Sequence, residues 1–153
     1  CALTGRVPAA GLHLDENRRG EVLLRLPEMP PGLADRDDFY PVLGYLIGNR
    51  VDDEIAVVDG LFANPTEDQL KSCAAATATS GSVALFHLVG ITPEAPTLVE
   101  AFGGRNPKKT IALTMDDLRQ ARAELTTSST ADVDVVGFGA LTAAWLSVEN
   151  SRD

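Results

Sequence analysis

Short apolar, β-rich runs alternate with stretches of helical period along this chain, and no other feature restricts its fold as much. Residues 21–26, 55–60, 83–88, 110–113 and 133–138 are rich in branched and aromatic side chains and read as strands. The stretch 39–51 carries Phe39, Val42, Leu43, Leu46 and Ile47 on one helical face, with Asp37 or Asp38 as N-cap. Thr66-Glu67-Asp68-Gln69 matches a capping box, in which hydroxyl and amide satisfy each other's orphan backbone donors, and it opens an Ala-rich helix to about Thr79. Thr92-Pro93-Glu94 reads as another helix start, because proline at the first helical position forfeits no hydrogen bond. Thr114 caps a fourth helix through Leu118, Ala121 and Leu125. Strands separated by such helices build right-handed βαβ units, so the expected fold is α/β: a mostly parallel sheet with helices on both faces. Residues 27–36, 103–109 and 126–132, rich in Gly, Pro, Ser or Thr, read as loops within one unit.

At 153 residues and 44% hydrophobic, the chain is long enough for one sizeable core and too short for two full domains. Its 13 basic and 22 acidic side chains give a formal charge of −9, which repels phosphate backbones and anionic headgroups and argues against nucleic-acid or membrane-surface partners. The pairs Arg18-Arg19 and Lys108-Lys109 are too short for a nucleic-acid footprint and read as solvated charge. Cys1 and Cys73 lie far apart with no second ligand at metal-binding spacing, so neither a zinc site nor a disulfide framework is expected, and a reducing cytoplasm fits. No apolar run reaches the roughly 18 to 20 residues of a spanning helix. The opening Cys-Ala-Leu-Thr-Gly has neither an initiator methionine nor the basic region of a signal peptide, and the natural N-terminus is expected upstream of it.

Ligands of parallel sheets gather beyond the carboxyl ends of the strands, which singles out Phe86-His87-Leu88-Val89-Gly90-Ile91-Thr92-Pro93-Glu94. Free N–H groups at a helix start there would hold a carboxylate. The competing reading has Glu94 satisfying the helix dipole itself and His87 as a hydrogen-bonded core residue. A second candidate is the Gly- and Pro-punctuated loop 4–18, where Arg6, His13, Glu16 and Arg18 supply groups that bind anions or move protons. Its plain counterpart is a solvated loop whose Glu16 and Arg18 neutralise each other in water. In Thr79-Ser80-Gly81-Ser82, Ser80 is a candidate substrate contact, while Gly81 sits where a left-handed C-cap ends the helix. No phosphate loop, nucleophile elbow or metalloprotease helix occurs. These residues alone give an α/β domain whose activity is open.

The run Ala2-Leu3-Thr4-Gly5-Arg6-Val7-Pro8, followed by Gly11-Leu12-His13-Leu14-Asp15-Glu16-Asn17-Arg18, resembles the large-subunit region of the aconitase X family. Leu43-Gly44-Tyr45-Leu46-Ile47-Gly48, residues 65–71, Ser80-Gly81-Ser82-Val83-Ala84-Leu85-Phe86-His87 and Gly90-Ile91-Thr92-Pro93-Glu94-Ala95 extend the match collinearly over about residues 1–139. The resemblance implies an aconitase-like architecture, an iron–sulfur cluster held by cysteines in the intact parent, and dehydration of a small hydroxy acid. Family members include bacterial cis-3-hydroxy-L-proline dehydratases and archaeal mevalonate 5-phosphate dehydratases. A base removes the proton α to a carboxylate while iron assists departure of the hydroxyl. On this resemblance His13 and His87 are the expected catalytic residues, and Arg6, Arg18, Ser80, Thr92 and Glu94 the expected substrate-binding ones. No residue is assigned to metal.

Two departures from the family bear on function. The cysteine-bearing segments expected upstream are not in this chain, and Cys1 and Cys73 look structural. After Val135-Val136-Gly137-Phe138-Gly139, similar proteins continue with a Ser- or Cys-containing Pro-His turn, whereas this chain reads Ala140-Leu141-Thr142-Ala143-Ala144-Trp145. Residues 140–153 are therefore read as a divergent tail, and no cluster is expected on this fragment alone. A truncated, frameshifted or degenerate copy would each explain it. The expected partners are the hydroxy acid and the remaining N- and C-terminal segments or a small swivelling subunit. A phosphorylated substrate would want more basic side chains, which favours cis-3-hydroxy-L-proline. Rival readings are a non-catalytic remnant or interaction domain, and a metal-free lyase using His13 and His87 as an acid/base pair.

Overall fold

Four parallel strands in the order β3-β2-β1-β4 carry the molecule. In the computed structural model, residues 3–79 and 81–126 are described, together with the backbone of 136–138 and 144–146. The elements run β1 (Val22–Arg25), α1 (Phe39–Arg50), β2 (Ala56–Asp59), α2 (Glu67–Ala78), β3 (Phe86–Leu88), α3 (Leu98–Ala101), β4 (Lys109–Ala112) and α4 (Met115–Leu125). Val22 lies opposite both Ala56 and Lys109, and Val57 lies opposite His87. The expected α/β class is what the chain adopts, with a wholly parallel main sheet.

Side-chain alternation divides the strands between two faces. Val22, Leu24, Ala56, Val58 and Leu88 turn to a large core that also takes Phe39, Leu43 and Ile47 of α1, Cys73 of α2 and Leu118 and Ala121 of α4. Leu23 and Val57 turn the other way, onto a small cluster with Ala95, Ala101 and Phe102. Helices thus stand on both faces, but unequally: three long ones on one side, and the four-residue α3 on the other.

Local signals explain most element starts. Thr66 and Gln69 form the expected capping box, Thr66 Oγ1 accepting from the Gln69 N–H at 3.2 Å and Gln69 Oε1 from the Thr66 N–H at 2.9 Å. Thr114 caps α4 in the same manner with Asp117. Gly81 takes φ +77 and donates to the Ala78 carbonyl at 3.0 Å, the closing turn expected of it. At α1, Asp38 holds the N-cap position without a side-chain capping bond, since its carboxylate is taken by Arg36 at 2.8 Å. Asp37 accepts instead from Gln69 Nε2 at 2.9 Å.

Two expectations are corrected. No helix starts at Thr92-Pro93-Glu94: the Thr92 hydroxyl donates to the Leu88 carbonyl and accepts from the Leu88 N–H, both at 3.1 Å, and Gly90 closes a turn onto the Ala95 carbonyl at 2.8 Å. The helix begins only at Leu98, capped by Thr97 Oγ1 accepting from the Glu100 N–H. The run 133–138 supplies β5 (Val136–Phe138), which pairs antiparallel with β6 (Ala144–Leu146) in a separate two-stranded sheet and does not extend the parallel one. The expected domain boundary between residues 139 and 140, and Ser80, lie outside the described residues.

Candidate functional site

The loop preceding β1 and the crossover from β3 to β4 meet on the thinly covered face. Residues Gly11–His13 and Asp15–Asn17 form two 3-10 turns, braced by Asn17 Nδ2 donating to the Gly11 carbonyl at 2.9 Å. The loop then reaches Gly20, whose N–H donates to the Ala101 carbonyl at the end of α3 at 2.8 Å. His87, in register with Val57, is 2% exposed and donates from Nε2 to the Arg18 carbonyl at 2.6 Å.

Arg18 binds across the same junction. Its Nε lies 2.8 Å from both Glu94 oxygens, Nη2 lies 2.6 Å from Oε1, and Nη1 donates to the Leu12 carbonyl at 3.0 Å. The hydrogen bond and charge of Arg18 hold the Glu94 carboxyl below its ordinary range, and Glu94 in turn raises Arg18. The segments 11–18 and 87–94 therefore meet.

Beside this pair opens a cleft of about 520 Å³ lined by Asp15, Glu16, Arg18, Arg19, Glu94 and Glu100. Arg18 and Glu94 are among the sequence candidates it collects. His87 is not: it is an interior side chain behind the cleft, satisfied by a carbonyl. His13 is exposed on the first 3-10 turn and Arg6 is exposed on the loop before it, and neither lines this cleft. Thr92 spends its hydroxyl on the β3 backbone. Sequence reasoning missed Arg19 and Glu100. The Thr97-Leu98-Val99-Glu100 spacing is a helix-start signature that would have located Glu100, whereas Arg19 was grouped with Arg18 as solvated charge.

Among the described residues no three His, Cys, Asp or Glu side chains gather as a metal site. Cys73 is buried in α2, where burial pushes its thiol up to about 12 and Thr77 donates to its carbonyl at 2.9 Å. No helix among the described residues is long and apolar enough to cross a membrane.

The chain is thus a parallel α/β unit with a polar cleft on its thinly covered face. Residues 20–123 match the family model described as the aconitase X second domain, and the chain belongs to the aconitase X family. It is 47% identical over 140 residues to a cis-3-hydroxy-L-proline dehydratase of Pseudomonas aeruginosa, covering 91% of this chain and 24% of that protein. It is 33% identical over 130 residues to a phosphomevalonate dehydratase large subunit of Methanocaldococcus jannaschii, covering 84% and 32%. The solved structure of Thermococcus kodakaraensis aconitase X in its holo-form superposes with a TM-score of 0.64 at 31% identity, over 83% of this chain and 30% of that one. The chain thus spans between about a quarter and a third of the length of these relatives.

Proposed function

We propose that the protein carrying this chain is a hydro-lyase that dehydrates cis-3-hydroxy-L-proline, and that the cleft beside Arg18 and Glu94 forms part of its substrate site. The observation that carries the choice of substrate is the charge of the cleft: Asp15, Glu16, Glu94 and Glu100 against Arg18 and Arg19. A phosphate monoester brings up to two negative charges of its own besides a carboxylate, and such a lining repels it. A zwitterionic imino acid has a positive nitrogen to set against the surplus carboxylates. The 47% identity to the hydroxyproline enzyme, against 33% to the phosphomevalonate subunit, supports the same choice.

On this reading His13, exposed on its 3-10 turn though outside the lining of this cleft, is the proposed proton-exchanging residue, and His87 fixes the loop by holding the Arg18 carbonyl. Arg6 and Ser80 are further substrate-contact proposals. The family implies an iron–sulfur cluster, which when bound supplies a Lewis acid for the departing hydroxyl. The described residues do not fit it, because Cys73 is an interior thiol without a second ligand, so any cluster is assigned to the rest of the protein. The domain division at residue 139, the need for the remaining segments, and a cytoplasmic location belong to this proposal.

The test offers cis-3-hydroxy-L-proline and mevalonate 5-phosphate to the full-length protein, purified anaerobically. Dehydration of the imino acid alone is expected, and His13→Ala should lower it at least about tenfold with an unchanged circular dichroism spectrum. Turnover of only the phosphate ester overturns the substrate, and turnover of neither overturns the reading.

A further inference from the structure

An enzyme that dehydrates a hydroxy acid must hold the substrate carboxylate, for which a cation is a strong receptor, and a receptor assigned on that ground rests on the dehydratase reading proposed above. The cleft holds two arginines. Arg18 is largely committed: Nε and Nη2 face Glu94 and Nη1 donates to the Leu12 carbonyl, which leaves one N–H on each Nη and a charge already offset by the Glu94 carboxylate. A full carboxylate grip by Arg18 would compete with Glu94 for that charge, beside Asp15 and Glu16. Arg19 lines the same cleft, is half-buried, and among the described residues makes no ion pair and no side-chain hydrogen bond. Its planar donor fork is the geometry that carboxylates bind bidentately.

The seat of Arg19 is built. Gly103 has φ +57, and a β-carbon added there would stand 2.7 Å from Arg19 Cδ, 2.8 Å from Nε and 3.3 Å from Cζ. Any other residue at this position would push the guanidinium stem away, as well as strain the backbone. The floor is fixed by the Gly103 N–H donating to the Glu100 carbonyl at 2.9 Å, and the chain beside Arg19 by the bond from Gly20 to Ala101. We propose that Arg19, and not Arg18, is the carboxylate receptor of this cleft, and that Gly103 is a positioning residue for it. Arg18 is the tie that holds the two walls together.

The experiment is calorimetric titration of the full-length protein with L-proline and with pyrrolidine, the same ring without the carboxylate. The wild-type protein should prefer L-proline at least about tenfold, Arg19→Gln should abolish the preference, and Arg19→Lys should reduce it by losing the fork. Gly103→Ala should weaken L-proline with Arg19 in place. No wild-type preference, or a preference that survives in Arg19→Gln, overturns the proposal. If Arg19→Gln is unfolded by circular dichroism, Arg19→Lys decides, and undiminished preference there overturns it. Titration reads binding without turnover. A protein that dehydrates neither substrate yet shows Arg19-dependent preference therefore refutes the dehydratase reading alone, and a working dehydratase indifferent to Arg19 refutes this inference alone.

Discussion

The imidazole of His87 donates to the main-chain carbonyl of Arg18 at 2.6 Å, joining two segments 69 positions apart. The bond is buried at its histidine end and fixes the loop just before the chain enters β1. It also sets the direction from which Arg18 reaches Glu94.

Replacing His87 by alanine removes a buried ring and leaves a carbonyl without its donor. The expected loss is about 2 to 3 kcal/mol, the usual scale for a buried polar partner removed together with its packing. Urea unfolding at neutral pH measures it, and an unchanged midpoint would show the bond to be dispensable.

The Arg18–Glu94 pair should make stability depend on acid. Glu94 has its carboxyl pKa lowered by the Arg18 hydrogen bond, so its contribution is fully present above the ordinary value of 4.5 and is lost as pH falls through the lowered folded value. Both side chains are partly exposed, at 31% and 45%, which limits the effect to about 0.5 to 1 kcal/mol. Wild type should exceed Glu94→Gln in stability at pH 6, and the gap should close with acidification below 4.5. A gap that persists into strong acid would assign the effect to packing.

Gly44 places α1 against α2 so closely that a β-carbon would lie 2.2 Å from the Cys73 carbonyl oxygen and 2.9 Å from the Ala76 β-carbon. Gly44→Ala should therefore destabilise by about 2 kcal/mol or more, although alanine is the better helix former. Thermal unfolding of the variant decides between crowding and propensity, since a raised midpoint would mean the helices part freely.

The Cys73 thiol, at about 12, is protonated and enclosed at pH 8. Iodoacetamide should leave it unmodified in the folded protein and alkylate it once denaturant is added, as peptide mapping would report. Labelling of Cys73 under native conditions would show that α1 and α2 separate readily.

What was legible in the sequence is what neighbouring residues decide between themselves. The Thr66–Gln69 box and the apolar face from Phe39 to Ile47 are local, and they fix where α1 and α2 lie. Thr92-Pro93-Glu94 satisfies every local rule for a helix start, yet the Leu88 backbone captures the Thr92 hydroxyl and the helix waits for Thr97. Parallel topology puts the start of β1 and the end of β3 at opposite ends of the strands, so it does not by itself bring residues 11–18 onto 87–94. The contacts that do so were not legible either, because a pairing such as Arg18 with Glu94 leaves no trace in either segment alone. Arg19 was hidden for a similar reason: only the fold brings Gly103 beneath it.

The uneven dressing of the sheet sets the order in which the molecule opens. One side is locked by three helices over a continuous apolar layer. The other is closed by the four-residue α3 and a five-residue cluster, so amide exchange should begin there while the helical layer remains shut. Gly103 and the carbonyl that anchors Gly20 both sit on that lighter side. A ligand entering the cleft thus meets a wall that can yield, mounted on a frame that does not.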